Sequence, residues 1–198
     1  GREEIFEDVD LSRTVGWFTT IFPVHLNLEN ANDLGEALKL IKEQLRAIPN
    51  RGIGYGLLRY LRQHKEIIEE FSSSKIEIAF NYLGQFDQVL PESSLFSFAQ
   101  ESSGNTRSLQ NKRTHLLEIN CGIYQKNLEI SWSYSNKLHR RTTIEVLAQN
   151  FIETLRSLIA HCQSPDAGGF TPSDFVEVKQ SQWDQTDLDA ITAAMGDI

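Results

Sequence analysis

The chain has 198 residues, of which 40% are hydrophobic and 23% are charged, and its formal net charge is −8 at pH 7. These values are typical of a globular domain large enough to form one core. The acidic balance argues against nucleic acid as a partner, because phosphate contacts need clustered Lys and Arg. The sequence has no apolar run of about 18 residues and no signal-peptide pattern, so it predicts a cytoplasmic protein with no membrane partner.

The first predicted element is a β-strand over residues 15–28. The preceding residues 1–12 are polar and acidic, whereas the stretch from Val15 to Leu28 is apolar and rich in β-forming residues. This pattern predicts a strand that is buried on both faces. Pro23 has no N–H group to donate, so we expect it at a bulge, at an edge or at the end of the strand.

Two helical patterns follow this strand. Apolar residues recur at helical spacing from Leu34 to Ile48, Asp33 and Glu36 predict a capping-box-like start, and Pro49 stops the run. A turn-rich loop over residues 49–54 leads into the second helix. The apolar stripe of that second helix is carried by Leu57, Leu61, His64, Ile68 and Phe71.

The second half of the chain predicts three strands and a helix. Residues 76–82 alternate between apolar and polar side chains, as a strand does, and Gly84 ends the pattern. After a long polar stretch, residues 116–124 and 128–134 predict an antiparallel hairpin. Thr142 and Glu145 predict a capping box at the start of a helix that ends near Cys162.

This order of elements predicts an α/β fold, a two-layer α/β sandwich with helices packed on one mostly mixed sheet. The composition changes at residues 164–169, which are rich in small and turn-forming residues. We therefore expect residues 1–163 to form one subdomain. Residues 164–198 are expected to form an exit linker, with a short helix over 184–195, towards a following domain.

The sequence contains none of the common short motifs that by themselves indicate catalysis, phosphate binding or metal binding. It lacks the phosphate-binding loop, the serine elbow and the paired-histidine metal motif, and it predicts no metal site. Gly52, Gly54 and Gly56 alternate at a loop-to-helix junction and can cradle a phosphate, but a tight entry to the helix is the simpler interpretation. Asn81 and Tyr82 are hydrogen-bonding side chains at the end of an apolar strand, for which spacing alone favours a structural role.

Four sequence motifs occur in the order found in epimerization domains of nonribosomal peptide synthetases. They are Gly1-Arg2-Glu3, then Arg13-Thr14-Val15-Gly16-Trp17-Phe18-Thr19 with Phe22-Pro23, then Pro49-Asn50-Arg51-Gly52-Ile53-Gly54-Tyr55-Gly56, and Phe80-Asn81-Tyr82-Leu83-Gly84. The chain thus resembles the C-terminal half of an epimerization domain, within the condensation-domain superfamily. The resemblance covers residues 1 to about 178, because the motif Thr171-Pro172-Ser173-Asp174-Phe175 also looks like the usual exit from such a domain. It implies a fold like half of a chloramphenicol-acetyltransferase-like domain.

The resemblance implies an activity that belongs to a larger domain. Such domains invert the α-carbon of an aminoacyl or peptidyl thioester, L to D, by removing and returning its proton. The family's His-His-x-x-x-Asp motif and the opening Glu of its first motif, the proposed acid and base, do not occur here. We therefore expect an interior piece of a synthetase that is inactive alone.

The partners implied by the resemblance are the N-terminal half of the same domain, a peptidyl carrier domain and the flanking synthetase domains. No cofactor is expected to bind this chain directly. The substrate instead arrives on the phosphopantetheine arm of the partner carrier domain.

The resemblance also assigns roles to residues of this chain. Asn81 and Tyr82 become supporting or positioning residues of the catalytic site. Arg2 is a candidate for ordering the first-motif loop or for meeting the phosphopantetheine phosphate, although a surface ion pair is the simpler role. The residues expected to form a wall of the substrate tunnel are Arg13, Trp17, Thr19, Gly52, Gly54 and Tyr55.

Two alternatives remain open from the sequence. The first is the C-terminal half of a peptide-bond-forming condensation domain, which shares this fold. The second is an inert interaction scaffold. The residues of the motifs around Trp17 and Tyr82 favour epimerization over condensation.

Overall fold

The computed structural model describes residues 9–61, 76–86, 95, 99, 101, 102, 104, 108, 110–165, 167–175 and 184–195. The chain divides into two compact units, one of residues 1–73 with 157–198 and one of residues 74–156. The described elements are, in chain order, α1 Leu34–Arg46, α2 Ile53–Gly56, β1 Ile78–Gln85, β2 Leu117–Tyr124, β3 Asn127–Tyr134, α3 Arg141–Cys162 and α4 Gln185–Met195. The predicted α/β class is confirmed.

The unit of residues 74–156 contains a mixed three-stranded sheet in the order β1-β2-β3. β1 pairs with β2 in parallel, and β2 pairs with β3 in the predicted antiparallel hairpin. Gln125 and Lys126 form the two-residue turn of this hairpin with φ values of 48° and 62°. Positive φ at both turn residues matches the twist of the flanking strands, which fixes the hairpin register.

A small apolar core lies between this sheet and α3. Leu117 and Ile119 of β2 are buried together with Ile144 of α3. Ile130, Trp132 and Tyr134 pack against them from alternate positions of β3, as the sequence pattern predicts. The ring of Trp132 also meets Phe151 of α3 edge-on, with centroids 5.8 Å apart. The helix thus covers one face of the sheet, which gives this unit two layers.

The predicted capping box at the start of α3 is wrong. The helix begins at Arg141, so Thr142 lies within its first turn and not at the cap. The carboxylate of Glu145 accepts a hydrogen bond from Arg141 Nε at 2.7 Å. Side chains four residues apart on a helix are neighbours, so Arg141 and Glu145 can form an ion pair. This ion pair is observed in place of the predicted capping bond.

The predicted start of α1 is confirmed, with one difference. Asp33 caps the helix, and its side chain accepts from the Glu36 N–H at 2.9 Å. The Glu36 carboxylate returns to the N–H of Asn32 at 2.8 Å, one residue earlier than in a standard capping box. The helix ends at Arg46, and Pro49 begins a short 3-10 turn that ends at Gly52.

The second helical pattern begins earlier than predicted. The chain is helical from Ile53, in the single turn of α2, and it continues as a wider π-type turn over Leu57–Leu61. The remaining residues of the predicted stripe, His64, Ile68 and Phe71, lie outside the described residues.

The predicted buried strand over residues 15–28 is wrong. Residues 9–28 form no regular strand, and Val15 and Trp17 are 96% and 90% exposed. A strand needs a second strand to satisfy its backbone groups. Here the side-chain amide of Gln44 in α1 does this at one residue, since it accepts from Asn27 N–H at 2.8 Å and donates to Asn27 C=O at 2.7 Å.

The segment Thr171–Phe175 is anchored on α1, within the unit of residues 1–73 and 157–198. Thr171 is fully buried, and its backbone N–H donates to the Asp174 carboxylate at 3.0 Å in a capping box. The same carboxylate accepts from Lys42 at 2.5 Å and from Arg46 at 2.8 Å. Two cations of one helix therefore hold the carboxylate that closes this turn.

A second carboxylate joins the same network. Glu43 of α1 accepts hydrogen bonds from the hydroxyl and the N–H of Ser173. Burial by itself raises the pKa of Glu43, but hydrogen bonds from Ser173 and Thr171 outweigh it and lower the pKa. Hydrogen bonds from Lys42, Thr171 and Arg46 hold the pKa of Asp174 well below its usual range.

The C-terminal helix expected over residues 184–195 is confirmed as α4. Asp184 and Asp187 cap it reciprocally, each accepting from the backbone N–H of the other at 3.0 to 3.1 Å. Leu188 is buried, and the Gln185 side chain donates to the Phe170 carbonyl at 3.0 Å. The boundary between residues 163 and 164 stays a prediction.

We expect Asp174→Asn to lower the free energy of unfolding by about 1 to 2 kcal/mol, because the amide keeps the shape but loses two charge-assisted bonds. The matched control is Glu145→Gln, the same chemical change in an exposed pair four residues apart on α3. Urea unfolding of both variants measures the difference. Equal effects of the two substitutions contradict the central role of Asp174.

The contribution of Asp174 also depends on pH in a defined direction. Its pKa is lower in the folded than in the unfolded chain, so the contribution is complete above the unfolded pKa of about 3.9 and is lost as the pH falls below it. The stability difference between the wild type and Asp174→Asn should therefore shrink as the pH falls from 6 towards 3.

Candidate functional site

The candidate catalytic residues Asn81 and Tyr82 lie in the middle of β1. Asn81 is opposite Asn120 of β2, and Tyr82 is opposite Cys121. Since successive strand residues point to opposite faces, the two side chains do not share a face. Tyr82 lies on the same face of the sheet as Leu117 and Ile119. Asn81 lies on the opposite face, which we call the open face.

A bulge follows these two residues. The register of β1 against β2 shifts between Tyr82 and Gln85, and Gly84 has a φ of 84°. Such a bulge inserts one residue and bends the strand. Gly84 therefore does not end the strand, as the sequence predicted, but distorts it just beyond Tyr82.

Asn81 is held at two points by neighbouring residues of β2. Its side-chain Nδ2 donates to Oδ1 of Asn120 at 3.2 Å. Its backbone carbonyl accepts from the thiol of Cys121, with Sγ and O 3.6 Å apart. Burial raises the pKa of the Cys121 thiol, which keeps it protonated and able to donate.

A groove of about 210 Å³ opens beside this pair. Its lining combines polar groups with apolar walls, and the lining residues include Asn120, Ser131, Glu129, Cys121, Leu83 and Tyr124. The ring of Tyr124 stacks on Phe86 with centroids 4.6 Å apart. The groove thus places polar side chains next to an aromatic pair.

The first group of predicted wall residues lies on the exposed segment before α1. Arg13, Trp17 and Thr19 are all exposed. The indole of Trp17 is 90% exposed, which is unusual for so large an apolar side chain on the surface of a folded domain. Arg2, the candidate for phosphopantetheine or loop contact, lies outside the described residues.

The second group surrounds the start of α2. Gly52 has a φ of +80°, and a Cβ at this position would come within 2.2 Å of the Phe22 ring. Glycine is therefore required here for both conformation and space. At Gly54 a Cβ would meet nothing within 4 Å, so the entry to the helix is tight at Gly52 and not at Gly54.

Tyr55 is bound by a residue of the next turn. Its hydroxyl accepts from Arg59 Nη1 at 2.5 Å, and the guanidinium carbon lies 5.8 Å from the Tyr55 ring centroid. This hydrogen bond raises the pKa of Arg59. The pair fixes the phenol of Tyr55 relative to the helical turn.

The structure thus divides the predicted site residues between the two units. Asn81 and Tyr82 belong to the unit of residues 74–156, and the described wall residues belong to the other unit. Within its unit, Asn81 meets Asn120, which the sequence analysis missed. The alternation of β2 gives Asn120 a polar-facing position, but only the parallel pairing reveals that it meets Asn81.

Two other site types do not occur in the described part of the chain. No group of three or more His, Cys, Asp or Glu side chains there is arranged to hold a metal ion. None of the described helices has the length and apolar character needed to cross a membrane.

Comparisons with known proteins identify the family. The condensation domain family model matches residues 1–179. One of the linear gramicidin synthase proteins of Brevibacillus parabrevis is 49% identical over 92% of this chain, which corresponds to 2% of that protein. Surfactin synthase subunit 1 of Bacillus subtilis (strain 168) is 40% identical over 88% of this chain and 5% of that protein.

A solved structure is similar in both sequence and fold. It is the crystal structure of the epimerization domain from the third module of tyrocidine synthetase B, with 38% identity and a TM-score of 0.71. The match covers 82% of this chain and 36% of that chain. The chain belongs to the condensation domain family, and it spans a small part of the length of these relatives.

We expect Gly52→Ala to destabilise the protein by about 1 to 3 kcal/mol, because the new Cβ strains the backbone and collides with Phe22. The matched control is Gly54→Ala, which lies in a helical turn with free space and should stabilise by about 0.4 to 1 kcal/mol. Urea unfolding of both variants tests this. Similar effects of the two substitutions would contradict the contact between Gly52 and Phe22.

Proposed function

We propose that this chain is the C-terminal half of an epimerization domain of a nonribosomal peptide synthetase. The complete domain inverts the α-carbon of an aminoacyl or peptidyl group from L to D. The observation that carries the proposal is the likeness to the epimerization domain of tyrocidine synthetase B at 38% identity and a TM-score of 0.71. The four epimerization motifs in chain order support it further.

The substrate is proposed to arrive as a thioester on the phosphopantetheine arm of a partner carrier domain. A thioester carbonyl acidifies the neighbouring α-proton, so a base on one side can remove it and an acid on the other side can return one. The enolate-like intermediate needs hydrogen-bond donors around its oxygen. The flanking synthetase domains supply the substrate and take up the product.

The acid and base are proposed to come from the remainder of the domain, which makes this chain inactive alone. Two observations support this. The chain matches 36% of the epimerization-domain structure, and its five histidines include no adjacent pair. The N-terminal half of the same domain is therefore the closest partner of this chain.

Asn81 and Tyr82 are proposed as positioning residues of the site. β1 is an edge strand of the described sheet, and both side chains are exposed, with Tyr82 at 53%. The Asn81 amide can orient the substrate from the open face. The Tyr82 phenol can donate to groups that the rest of the domain contributes on the other face.

The remaining assignments concern the tunnel wall. Exposed apolar side chains on the segment before α1, among them Val15 and Trp17, are typical of a surface that another part of a protein covers, which supports a wall role for Trp17. The other proposed wall residues are Arg13, Thr19, Gly52, Gly54 and Tyr55. Arg2 is proposed to order the adjoining loop or to meet the phosphopantetheine phosphate.

The second candidate function is peptide-bond formation, which is equally consistent with the match to the condensation domain family model. Chiral analysis of the product of the complete module separates the two. We expect a D-configured residue without a new amide bond. A new amide bond with retained L-configuration contradicts epimerization and supports condensation.

Exchange of the α-proton in deuterated water tests where the acid and base reside. We expect the complete domain to incorporate deuterium into a carrier-bound aminoacyl thioester. Residues 1–198 alone should show no exchange above a carrier-only control, because the proton-transfer groups are missing. Exchange by the 198-residue chain would refute the assignment of the acid and base to the rest of the domain. No exchange by the complete domain contradicts epimerization, and the chiral analysis then separates condensation from an inert scaffold.

We expect Asn81→Ala in the complete domain to lower the epimerization rate about tenfold to a hundredfold, because the substrate loses its orientation. Tyr82→Phe should lower it about tenfold, since the ring remains and only the hydroxyl is lost. Initial rates of D-product formation measure both. Wild-type rates in both variants would remove these residues from the site.

A further inference from the structure

Three polar residues lie in register across the open face of the sheet. Asn81 of β1 pairs with Asn120 of β2, and Asn120 pairs with Ser131 of β3. Since directly paired residues point to the same face, their side chains form one row across the three strands. Asn120 is the central member of this row and is half-buried, whereas Asn81 is exposed.

We propose that Asn120 is a positioning residue that fixes the side-chain amide of Asn81 for the reaction, and this inference rests on the proposed function. An exposed asparagine on an edge strand populates several rotamers, and ordering it costs conformational entropy. The hydrogen bond from Asn81 Nδ2 to Asn120 Oδ1, at 3.2 Å, selects one of these rotamers. Asn120 thus acts through Asn81.

The backbone supports the same arrangement. Cys121, the residue after Asn120, donates its thiol to the carbonyl of Asn81. The side chain and the carbonyl of Asn81 are therefore both held by consecutive residues of β2. With one N–H of its amide engaged by Asn120, the second N–H and the oxygen of the Asn81 amide have fixed directions for a ligand.

The location of Asn120 connects Asn81 with the groove. Asn120 and Ser131 both line the 210 Å³ groove beside β1, and Glu129 lies on the same face of β3. A ligand in this groove meets a row of amide and hydroxyl groups that suits the carbonyl and N–H groups of an aminoacyl or peptidyl chain. Without Asn120 the row is interrupted next to Asn81.

A double-mutant cycle in the complete domain tests the inference. We expect Asn120→Ala to lower kcat about tenfold with KM unchanged within about twofold, since orientation and not affinity is lost. The double variant Asn81→Ala/Asn120→Ala should turn over at the rate of Asn81→Ala alone. Asn120→Asp keeps the acceptor oxygen and should restore most of the activity. The matched control is Ser133→Ala, on the same face of β3 but outside the groove, with wild-type kinetics.

The outcomes separate this inference from the proposed function. Additive single effects in the cycle, or an Asn120→Asp variant as slow as Asn120→Ala with a native thermal melt, overturn the positioning role. An unchanged Asn120→Ala beside a slow Asn81→Ala overturns it as well. If the wild-type domain forms an amide bond and no D-product, the proposed function fails. The cycle is then measured on amide formation and still decides whether Asn120 acts through Asn81.

Discussion

The parallel pairing of β1 with β2 is the constraint on which the unit of residues 74–156 depends. It sets Asn81 opposite Asn120 and Tyr82 opposite Cys121, and it aligns both strands with the hairpin partner β3. A shift by one residue would turn every side chain of β1 to the other face. Asn81 would then lie on the face of Leu117 and Ile119, where the buried core leaves no place for an unpaired amide.

Local signals made part of this fold predictable. The hairpin follows from two apolar strands joined by a short turn, and α1 follows from its apolar period and the Asp33 cap. The parallel partner of β1 was not predictable, because it is far along the chain and its choice depends on non-local contacts. For the same reason the apolar residues around Trp17 predicted a strand, although pattern alone cannot supply a pairing partner.

The residues of the family motifs in this chain have different physical roles. Gly52 needs its positive φ and its contact with Phe22, whereas Gly54, two residues later in the same motif, has free space around it. In the motif over residues 171–175, Asp174 closes a turn and pairs with two cations of α1. Such residues maintain structure, so a match to a family motif does not by itself assign a side chain to the site. Asn120 lies outside these motifs, yet its side chain accepts a hydrogen bond from the side chain of Asn81.

The opposite directions of Asn81 and Tyr82 bear on the choice between the two chemistries. Inversion of an α-carbon requires proton removal on one side and proton return on the other, so hydrogen-bonding groups are useful on two sides of the substrate. Amide formation needs one attacking amine and donors for one developing oxyanion. An edge strand with an amide on one face and a phenol on the other supplies two directions from adjacent residues. The bulge at Gly84 bends the strand just beyond them. In the proposed epimerization, these two directions correspond to the two sides of the α-carbon.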